Sequence, residues 1–247
     1  MTADGPPREM RYPPHVMPSL GGVQLLGVFA PGPEGFACME RTLDRFHEAG
    51  VALIIQLGEA LLPRGTARSA DIDHVRRLLR RRQQAMLVCT DDLGRATNLH
   101  QAGVQGGTAR TVRPNIVHLD SGFTARLSHD EIFTVVRPRS TTPNQDGAEF
   151  ERSERGGLSG RIGLAVSATP IDVTKVVREL TPKLLISVGN GRFLDETFSQ
   201  EVAGGGLIDS RAIVFGDRGG RRVDHAIVHL NDGTISLLPE REDDGEA

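Results

Sequence analysis

Oxygen-bearing side chains follow three of the apolar segments that the sequence predicts to be strands. Glu59 comes two residues after "VALIIQL", Asp91 and Asp92 come directly after "AMLVCT", and Asn190 comes two residues after "KLLISV". Carboxylate and amide oxygens are the ligands that a hard cation such as Mg²⁺ or Ca²⁺ prefers. These residues would form an oxygen-rich patch if their strands ended at one edge of the fold. The alternative is that Asp91 or Asp92 caps a following helix.

Other reactive side chains are scattered along the chain. The eight histidines show no HExxH or other ligand spacing, and neither Cys38 nor Cys89 lies in a CxxC motif. A zinc site of known spacing is therefore absent from the sequence. A Ser-His-Asp triad stays open, because its members need not be close in sequence. His118, His225 and His229 fall within predicted strands, where a core or sheet-face role is expected.

The composition is typical of a globular protein and argues against two classes of partner. The chain has 247 residues, of which 38% are hydrophobic, and a net charge of −3 at pH 7. That charge does not suit a protein whose main role is on nucleic acid or a membrane surface. The N-terminus has no apolar signal region, and no apolar run approaches the roughly 18 residues of a membrane span. We therefore expect a cytoplasmic protein with no membrane partner, and two free thiols suit that reducing compartment.

Hydrophobic periodicity predicts the elements that position the candidate residues. Segments 23–29, 51–57 and 85–90 are apolar and predict buried strands, whereas 36–46 and 70–84 carry apolar residues at helical spacing. The first 90 residues therefore predict a β-α-β-α-β unit. Such a unit is typical of a parallel sheet flanked by helices.

A second unit of the same kind is predicted later in the chain. Strands at 161–167 and 183–188 flank a helix, for which Thr169 is the predicted N-cap and Pro170 the first helical residue. Three short strands close the chain. Residues 231–233, Asn-Asp-Gly, predict a hairpin turn between the last two.

The domain organisation follows from shifts in composition. Residues 1–21 are rich in Pro and Gly and predict an irregular N-terminal arm. Residues 22–238 predict one domain, which includes three short strands within 115–136. Within it, 137–160 is polar and predicts a mobile loop. Residues 239–247 form an acidic tail.

Five strand ends carry a more specific pattern. They are "LLGVFAPG", "IIQLGEAL", "LVCTDDLG", "LAVSATP" and "LISVGNGRF". Their order and spacing resemble the calcineurin-like metallophosphoesterases, which carry GDxHG, GD and GNHD after the first three strands, then SH-x-P and GHxH. The resemblance spans roughly Val23 to Leu238. It implies an α/β fold of two facing mixed β-sheets flanked by helices, a four-layer α/β sandwich, and the family's activity is metal-dependent phosphoester hydrolysis.

Most of the family's ligand positions carry other residues in this chain. The resemblance places Val28 and Ala30 where an Asp and a His hold one metal, and Glu59 where an Asp bridges two metals. The remaining matched positions are Thr90 and Asp91 for the Asn and catalytic His of GNHD, Asp92 for its final Asp, Ala168 for the His of SH-x-P, and Asn190 and Arg192 for the two histidines of GHxH.

These replacements predict a catalytically degenerate member of the family. A two-metal site needs several imidazoles and carboxylates that converge on the ions. Val28, Ala30 and Ala168 offer no donor atom, and Arg192 adds a positive charge. No catalytic residue and no metal are therefore expected, apart from at most one weakly bound Mg²⁺ or Ca²⁺ on Glu59, Asp91 or Asn190. The predicted function is that of a non-catalytic binding or regulatory module for a protein partner or small ligand.

Two other functions remain open. A phosphoesterase with a rebuilt single-metal site would use Glu59, Asp91, Asp92 or Asn190. A nucleotide-binding protein would use "APGPEG", which is one Gly short of GxGxxG and follows a predicted strand. However, two prolines in that loop remove backbone N–H groups that would bind phosphate.

The densest basic run is "VRRLLRRR", residues 75–82. It predicts either a solvated helix face or a docking patch for an acidic partner or for the chain's own acidic tail. No aromatic residues interleave with its arginines, so nucleic-acid binding is not expected.

Overall fold

A computed structural model of the chain describes residues 23–30, 39–58, 69–90, 102–104, 107–113, 115–127, 130–136, 160–202, 205–218 and 221–237. The predicted N-terminal arm, the acidic tail and residues 137–159 of the predicted loop lie outside this description. None of the helices in the described part is long and apolar enough to cross a bilayer.

The described part contains three helices and fifteen strands. The helices are α1 (Met39–Glu48), α2 (Ser69–Arg81) and α3 (Val173–Leu180). In chain order the strands are β1 (Leu25–Phe29), β2 (Leu53–Leu57), β3 (Ala85–Thr90), β4 (Ala102–Val104), β5 (Gly107–Arg113), β6 (Ile116–Asp120), β7 (Thr124–Arg126), β8 (Glu131–Val135), β9 (Arg161–Ser167), β10 (Leu184–Arg192), β11 (Leu194–Val202), β12 (Gly206–Arg218), β13 (Arg221–Val223), β14 (His225–His229) and β15 (Ile235–Leu237).

The first sheet has eight strands in the order β15-β14-β1-β2-β3-β6-β5-β4. Its centre, β1-β2-β3-β6, is parallel, and antiparallel strands extend it on both sides. All five residues of β2 are buried, as expected for a central parallel strand covered on both faces. The β-α-β-α-β prediction for the first 90 residues is confirmed.

The second sheet has seven strands in the order β11-β12-β10-β9-β8-β7, with β13 also paired to β12. Strands β12, β10, β9 and β8 are parallel. Strands β11, β13 and β7 run antiparallel to their neighbours. The predicted second βαβ unit is therefore also present, as β9, α3 and β10.

Helices α1 and α2 cover the first sheet through the apolar stripe that their sequences predict. Leu43 and Phe46 of α1 and Val75 and Leu79 of α2 are fully buried, and they pack with outward-facing strand residues in one apolar cluster. Gly50, at φ +77°, ends the turn after α1 in a conformation that favours glycine.

Helix α3 begins three residues later than predicted. Its N-cap is Asp172, whose carboxylate accepts a 3.0 Å hydrogen bond from the N–H of Lys175. The prediction of Thr169 as N-cap and Pro170 as first helical residue was wrong. Thr169 instead presents its backbone carbonyl to Ser167, which donates to it at 2.8 Å.

Three apolar clusters define the layers. The central one joins inward-facing residues of both sheets, and the other two join a sheet to its helices. The order is therefore helix, sheet, sheet, helix, which confirms the predicted four-layer α/β sandwich.

The parallel strands of the two sheets end at a common edge. Strand β14 runs antiparallel to β1, so the turn after β14 lies beside the amino end of β1. That turn lines one pocket together with Leu164 and Leu184, near the amino ends of β9 and β10. The amino ends of both sheets therefore share one edge, and the carboxyl ends share the opposite edge.

Strand β10 extends four residues beyond its predicted end and then crosses over β12. Residues Gly189 to Arg192 continue the strand with a register shift, and Phe193 donates its N–H to Asp217 O at 2.9 Å. Strand β11 then pairs with the far side of β12. The two strands approach closely at this crossing. A Cβ on Gly216 would overlap Gly191 O and would lie 2.8 Å from Arg192 O.

Candidate functional site

The candidate site lies at the shared carboxyl edge, where the quoted strand ends meet. Strands β1, β2 and β3 are neighbours there, and the N–H of Gly58 donates to Cys89 O at 2.9 Å. In the second sheet, Ser167 at the end of β9 pairs in register with Ser187 of β10. The fold thus brings together the strand ends at which ligand-binding loops of α/β proteins lie.

Three of the predicted site positions are buried apolar side chains. Val28 is 0%, Ala30 2% and Ala168 7% exposed, and all three belong to the central cluster between the sheets. Their neighbours in that cluster include Leu57 and Cys89, also at the carboxyl ends of strands. At these positions the described edge is a continuation of the apolar core.

Asn190 and Arg192 lie elsewhere. Both are exposed on the extension of β10, where Arg192 pairs in register with Asp217 of β12. The positions matched to GHxH are part of a strand in this structure. The structure therefore does not bring Asn190 and Arg192 into the buried group formed by Val28, Ala30 and Ala168.

The remaining predicted positions are not described. Glu59, Asp91 and Asp92 lie outside the described residues, and only the backbone of Thr90 is described, at the end of β3. Within the described ranges, no three His, Cys, Asp or Glu side chains come close enough to hold a metal ion. The described residues at the matched positions do not fit a two-metal centre, because three of them lack any donor atom.

A polar chain that the sequence did not reveal lies behind this edge. His225 of β14 is 3% exposed and pairs in register with Phe29 of β1. Its Nδ1 lies 2.6 Å from Asp224 Oδ1, and its Nε2 lies 2.9 Å from a guanidinium nitrogen of Arg45 on α1. The backbone is tied in as well, since Ala30 N–H donates to Asp224 O at 2.8 Å.

The partners of His225 fix its tautomer. A guanidinium has donors only, so Nε2 must accept from Arg45, and Nδ1 must then carry the proton that is donated to Asp224. Both ring nitrogens are occupied, and the ring also packs edge-on against Phe46 at 6.2 Å. This Asp-His pair therefore resembles two members of a catalytic triad, but an arginine stands where a nucleophile would be. Its role is to tie α1 to β14.

The sequence predicted the strand location of these histidines but not their partners. His225 and His118 are buried, which confirms a core or sheet-face role for both. The adjacent Asp224-His225 pair was visible in the sequence, but Arg45 lies 180 residues away from His225. Only the packing of α1 against β14 could identify it as the partner.

Two serine hydroxyl groups near the carboxyl ends of β9 and β10 already donate hydrogen bonds within the fold. Ser167 and Ser187 are buried, and both donate to Thr169 O, at 2.8 and 3.4 Å. Ser187 also lies 3.0 Å from Val188 O. Hydroxyls bound to backbone carbonyls in this way stabilise the strand end, and no base in the described residues contacts them.

A pocket of about 200 Å³ opens at the opposite, amino edge of the sandwich. Leu127, Leu164 and Leu184 are among its apolar lining residues, and Lys183, Arg211 and His229 are among its polar ones. Lys183 is paired with Glu131, and Arg211 makes two 2.9 Å bonds to Asp195. Both cations are therefore neutralised by residues of the fold, and the pocket lies away from the edge where α/β proteins bind ligands.

Comparison with known proteins places the fold. No protein-family model matches the sequence, and no curated protein matches it. Among solved structures, TT1561 of Thermus thermophilus is similar, with 10% identity over 89% of this chain and 100% of its own and a TM-score of 0.50. A second structure is similar at 13% identity over 88% and 99% of the two chains, with a TM-score of 0.52. A dimetal phosphatase from Danio rerio shows 10% identity over 88% and 96%, but its TM-score of 0.45 is too low to support the fold assignment.

The chain therefore has a double-sheet α/β sandwich fold that it shares with solved structures over nearly its whole length. Its two facing mixed sheets flanked by helices are the architecture that the resemblance of the five strand ends implies. At 10–13% identity the likeness concerns the fold alone, and the function must be argued from the residues of this chain.

Proposed function

We propose that this protein is a catalytically degenerate metallophosphoesterase-like protein that acts by binding a partner or ligand. The observation that carries the proposal is the burial of Val28, Ala30 and Ala168 in the central core. The resemblance assigns metal ligands to these three positions. Here they are methyl and isopropyl groups packed between the two sheets.

The loss of these ligands bears directly on the chemistry. Two-metal hydrolysis depends on a pair of cations about 3.5–4 Å apart that stabilise the attacking and leaving oxygens. Changing even a partner that orients a ligand costs roughly 10–100-fold in metal affinity or activity. The three replacements remove the Asp and the His that hold one metal in the family, and they also remove the His of SH-x-P.

The buried position of Val28 also makes metal binding beside it unfavourable. A cation near Val28 would replace its water ligands with hydrocarbon, which is unfavourable without compensating donors. Arg192 contributes a further positive charge at the matched GHxH position. We therefore propose no resident cofactor, and at most one weakly bound Mg²⁺ or Ca²⁺ on Glu59, Asp91 or Asn190. The predicted cytoplasmic location stays a prediction.

A turnover assay tests the proposal. The full chain is incubated with a chromogenic phosphodiester and with Mn²⁺, Zn²⁺, Mg²⁺ or Ca²⁺ in turn, beside an active metallophosphoesterase as positive control. We expect no hydrolysis above the rate without protein. Hydrolysis that disappears with a chelator and in Glu59→Ala would overturn the proposal.

The same assay separates a rebuilt site from contamination. Turnover that depends on Mg²⁺ or Ca²⁺ alone and falls in Glu59→Ala, Asp91→Asn and Asn190→Ala would establish a single-metal enzyme and reject the binding role. Glu48→Ala, an exposed change on α1, is the matched control and should leave any such rate unchanged. If turnover were equal in all variants, we would assign it to a contaminating enzyme and not to this protein.

A further inference from the structure

The edge strands of the two sheets differ in length. The first sheet ends in β15 and β4 and the second in β7, each of three residues. Very short edge strands are a common protection against unwanted strand pairing. The remaining edge strand is β11, which has nine residues. Among the described strands it pairs only with β12.

Strand β11 lacks the usual structural protections of an edge. It pairs with β12 through nine consecutive residues without a bulge, and its sequence, "LDETFSQEV", contains no Pro, Gly, Lys or Arg. At about 3.3 Å per residue the open edge is roughly 30 Å long. Alternate residues along it direct their backbone N–H and C=O groups away from β12. Asp195, Glu196, Thr197, Ser199 and Glu201 are exposed.

All the charged side chains on β11 itself are acidic, and the one basic residue on the part of β12 that faces it is Arg211, which pairs in register with Thr197. Asp195, Glu196 and Glu201 lie on β11, Asp209 lies on the facing part of β12, and residues 193–210 contain no Lys or Arg. Arg211 pairs with Asp195, and Ser199 donates to Asp209 at 2.6 Å, so Glu196 and Glu201 keep the edge acidic.

The acidic charge of β11 disfavours pairing with β11 of a second copy of the chain. If two β11 strands paired antiparallel about Phe198, Asp195 of one would face Glu201 of the other. Shifting the register by one residue would place Glu196 opposite Glu201. Like charges directly opposite one another destabilise a strand pair.

We propose that β11 is a docking edge for an extended, basic segment of another protein, which adds a strand to the second sheet. Backbone hydrogen bonds would supply affinity, and Lys or Arg side chains opposite Glu196 and Glu201 would supply selectivity. The edge lies at the far side of the second sheet from β7, and it does not include the carboxyl-edge residues. The inference therefore holds whether or not the protein hydrolyses a phosphoester.

Synthetic peptides test the inference on the full chain. The probe is a labelled nine-residue peptide with two Lys residues five positions apart, the spacing of Glu196 and Glu201, and with Val or Thr elsewhere; it is matched in length to β11. The control peptide has Glu in place of Lys. Two further Lys peptides carry N-methyl groups on one or the other set of alternate backbone nitrogens, which blocks strand pairing without changing the charge. We expect the Lys peptide to bind at least about tenfold more tightly than the Glu peptide and than one of the N-methylated peptides.

Protein variants locate the binding. Glu196→Lys combined with Glu201→Lys should weaken the Lys peptide by about tenfold or more. Glu40→Lys combined with Glu48→Lys makes the same change in net charge on exposed α1 and should have little effect. Amide hydrogen exchange within Leu194–Val202 should slow on binding, whereas exchange in β7, at the other end of the sheet, should not.

Several results would overturn the inference. They are no measurable binding of the Lys peptide, equal binding of both N-methylated peptides and their parent, or unchanged exchange in β11. A β11 edge that becomes protected as protein concentration rises without peptide would instead identify a second copy as the occupant.

Discussion

Val28 shows at the level of one residue why the described edge does not support metal chemistry. The side chain is fully buried between the two sheets, beside Ala30 and Ala168. We expect Val28→Asp to lower the free energy of unfolding by more than about 2 kcal/mol, because it places a carboxylate in the core without a partner. Denaturant unfolding measures the change.

A control separates polarity from lost volume. Val28→Ala removes two methyl groups but adds no charge, so it should destabilise the protein less than Val28→Asp does. Excess Mn²⁺ should not restore the stability of Val28→Asp. Restoration by Mn²⁺ would mean that a metal site persists around position 28, contrary to the proposed function.

The Asp195–Arg211 pair gives a pH-dependent prediction. The hydrogen bond from Arg211 holds the pKa of the Asp195 carboxyl below its ordinary value of 3.8. Because the folded-state pKa is lowered, the pair stabilises the protein above that ordinary value, and the contribution is lost as the pH falls through the folded-state pKa. Both side chains are partly exposed, so the contribution at neutral pH should be at most about 1 kcal/mol.

A double-mutant cycle measures this pair. Asp195→Asn, Arg211→Gln and the double variant are unfolded with denaturant at pH 7 and at successively lower pH. The coupling free energy should be favourable at pH 7 and should shrink below the ordinary pKa of the carboxyl. A coupling that grows on acidification would contradict the assignment of the ion pair.

At the scale of elements, the crossing of β10 over β12 requires glycine at position 216. A Cβ on Gly216 would overlap Gly191 O, whereas a Cβ on Gly191 would meet nothing within 4 Å. We expect Gly216→Ala to destabilise the protein by about 1–3 kcal/mol, as overpacking does. Gly191→Ala should change stability by no more than about 0.5 kcal/mol. Thermal and denaturant unfolding of the two variants test the crossing, and equal effects would contradict it.

The sequence predicted elements wherever burial leaves a pattern. The apolar runs of β2 and β3 and the helical spacing of Ile72, Val75 and Leu79 identified strands and a helix that the structure confirms. Strand β11 was missed because its apolar residues, Leu194, Phe198 and Val202, do not alternate with polar ones at a spacing of two. The N-cap of α3 was misplaced because Thr169 and Asp172 are both good capping residues, and only the backbone geometry selects Asp172.

At the scale of the whole molecule, the order of elements fixed more of the fold than of the site. The two βαβ units predict parallel strands flanked by helices, and the resemblance carried by the five strand ends implies the four-layer sandwich. The contacts at the site could not be predicted in the same way. Asn190 and Arg192 were predicted to follow the end of a strand, but β10 continues through both residues. This extension and the crossing over β12 depend on contacts between β10 and β12 that no local pattern reveals.

The metal content of the purified protein tests the central claim most directly. The full chain is expressed with Mn²⁺, Zn²⁺ and Fe supplied in the medium, dialysed against metal-free buffer and analysed for its elements. We predict far less than one transition-metal ion per chain, because Val28, Ala30 and Ala168 supply no ligand. About two such ions per chain, the stoichiometry of a two-metal site, would contradict the account.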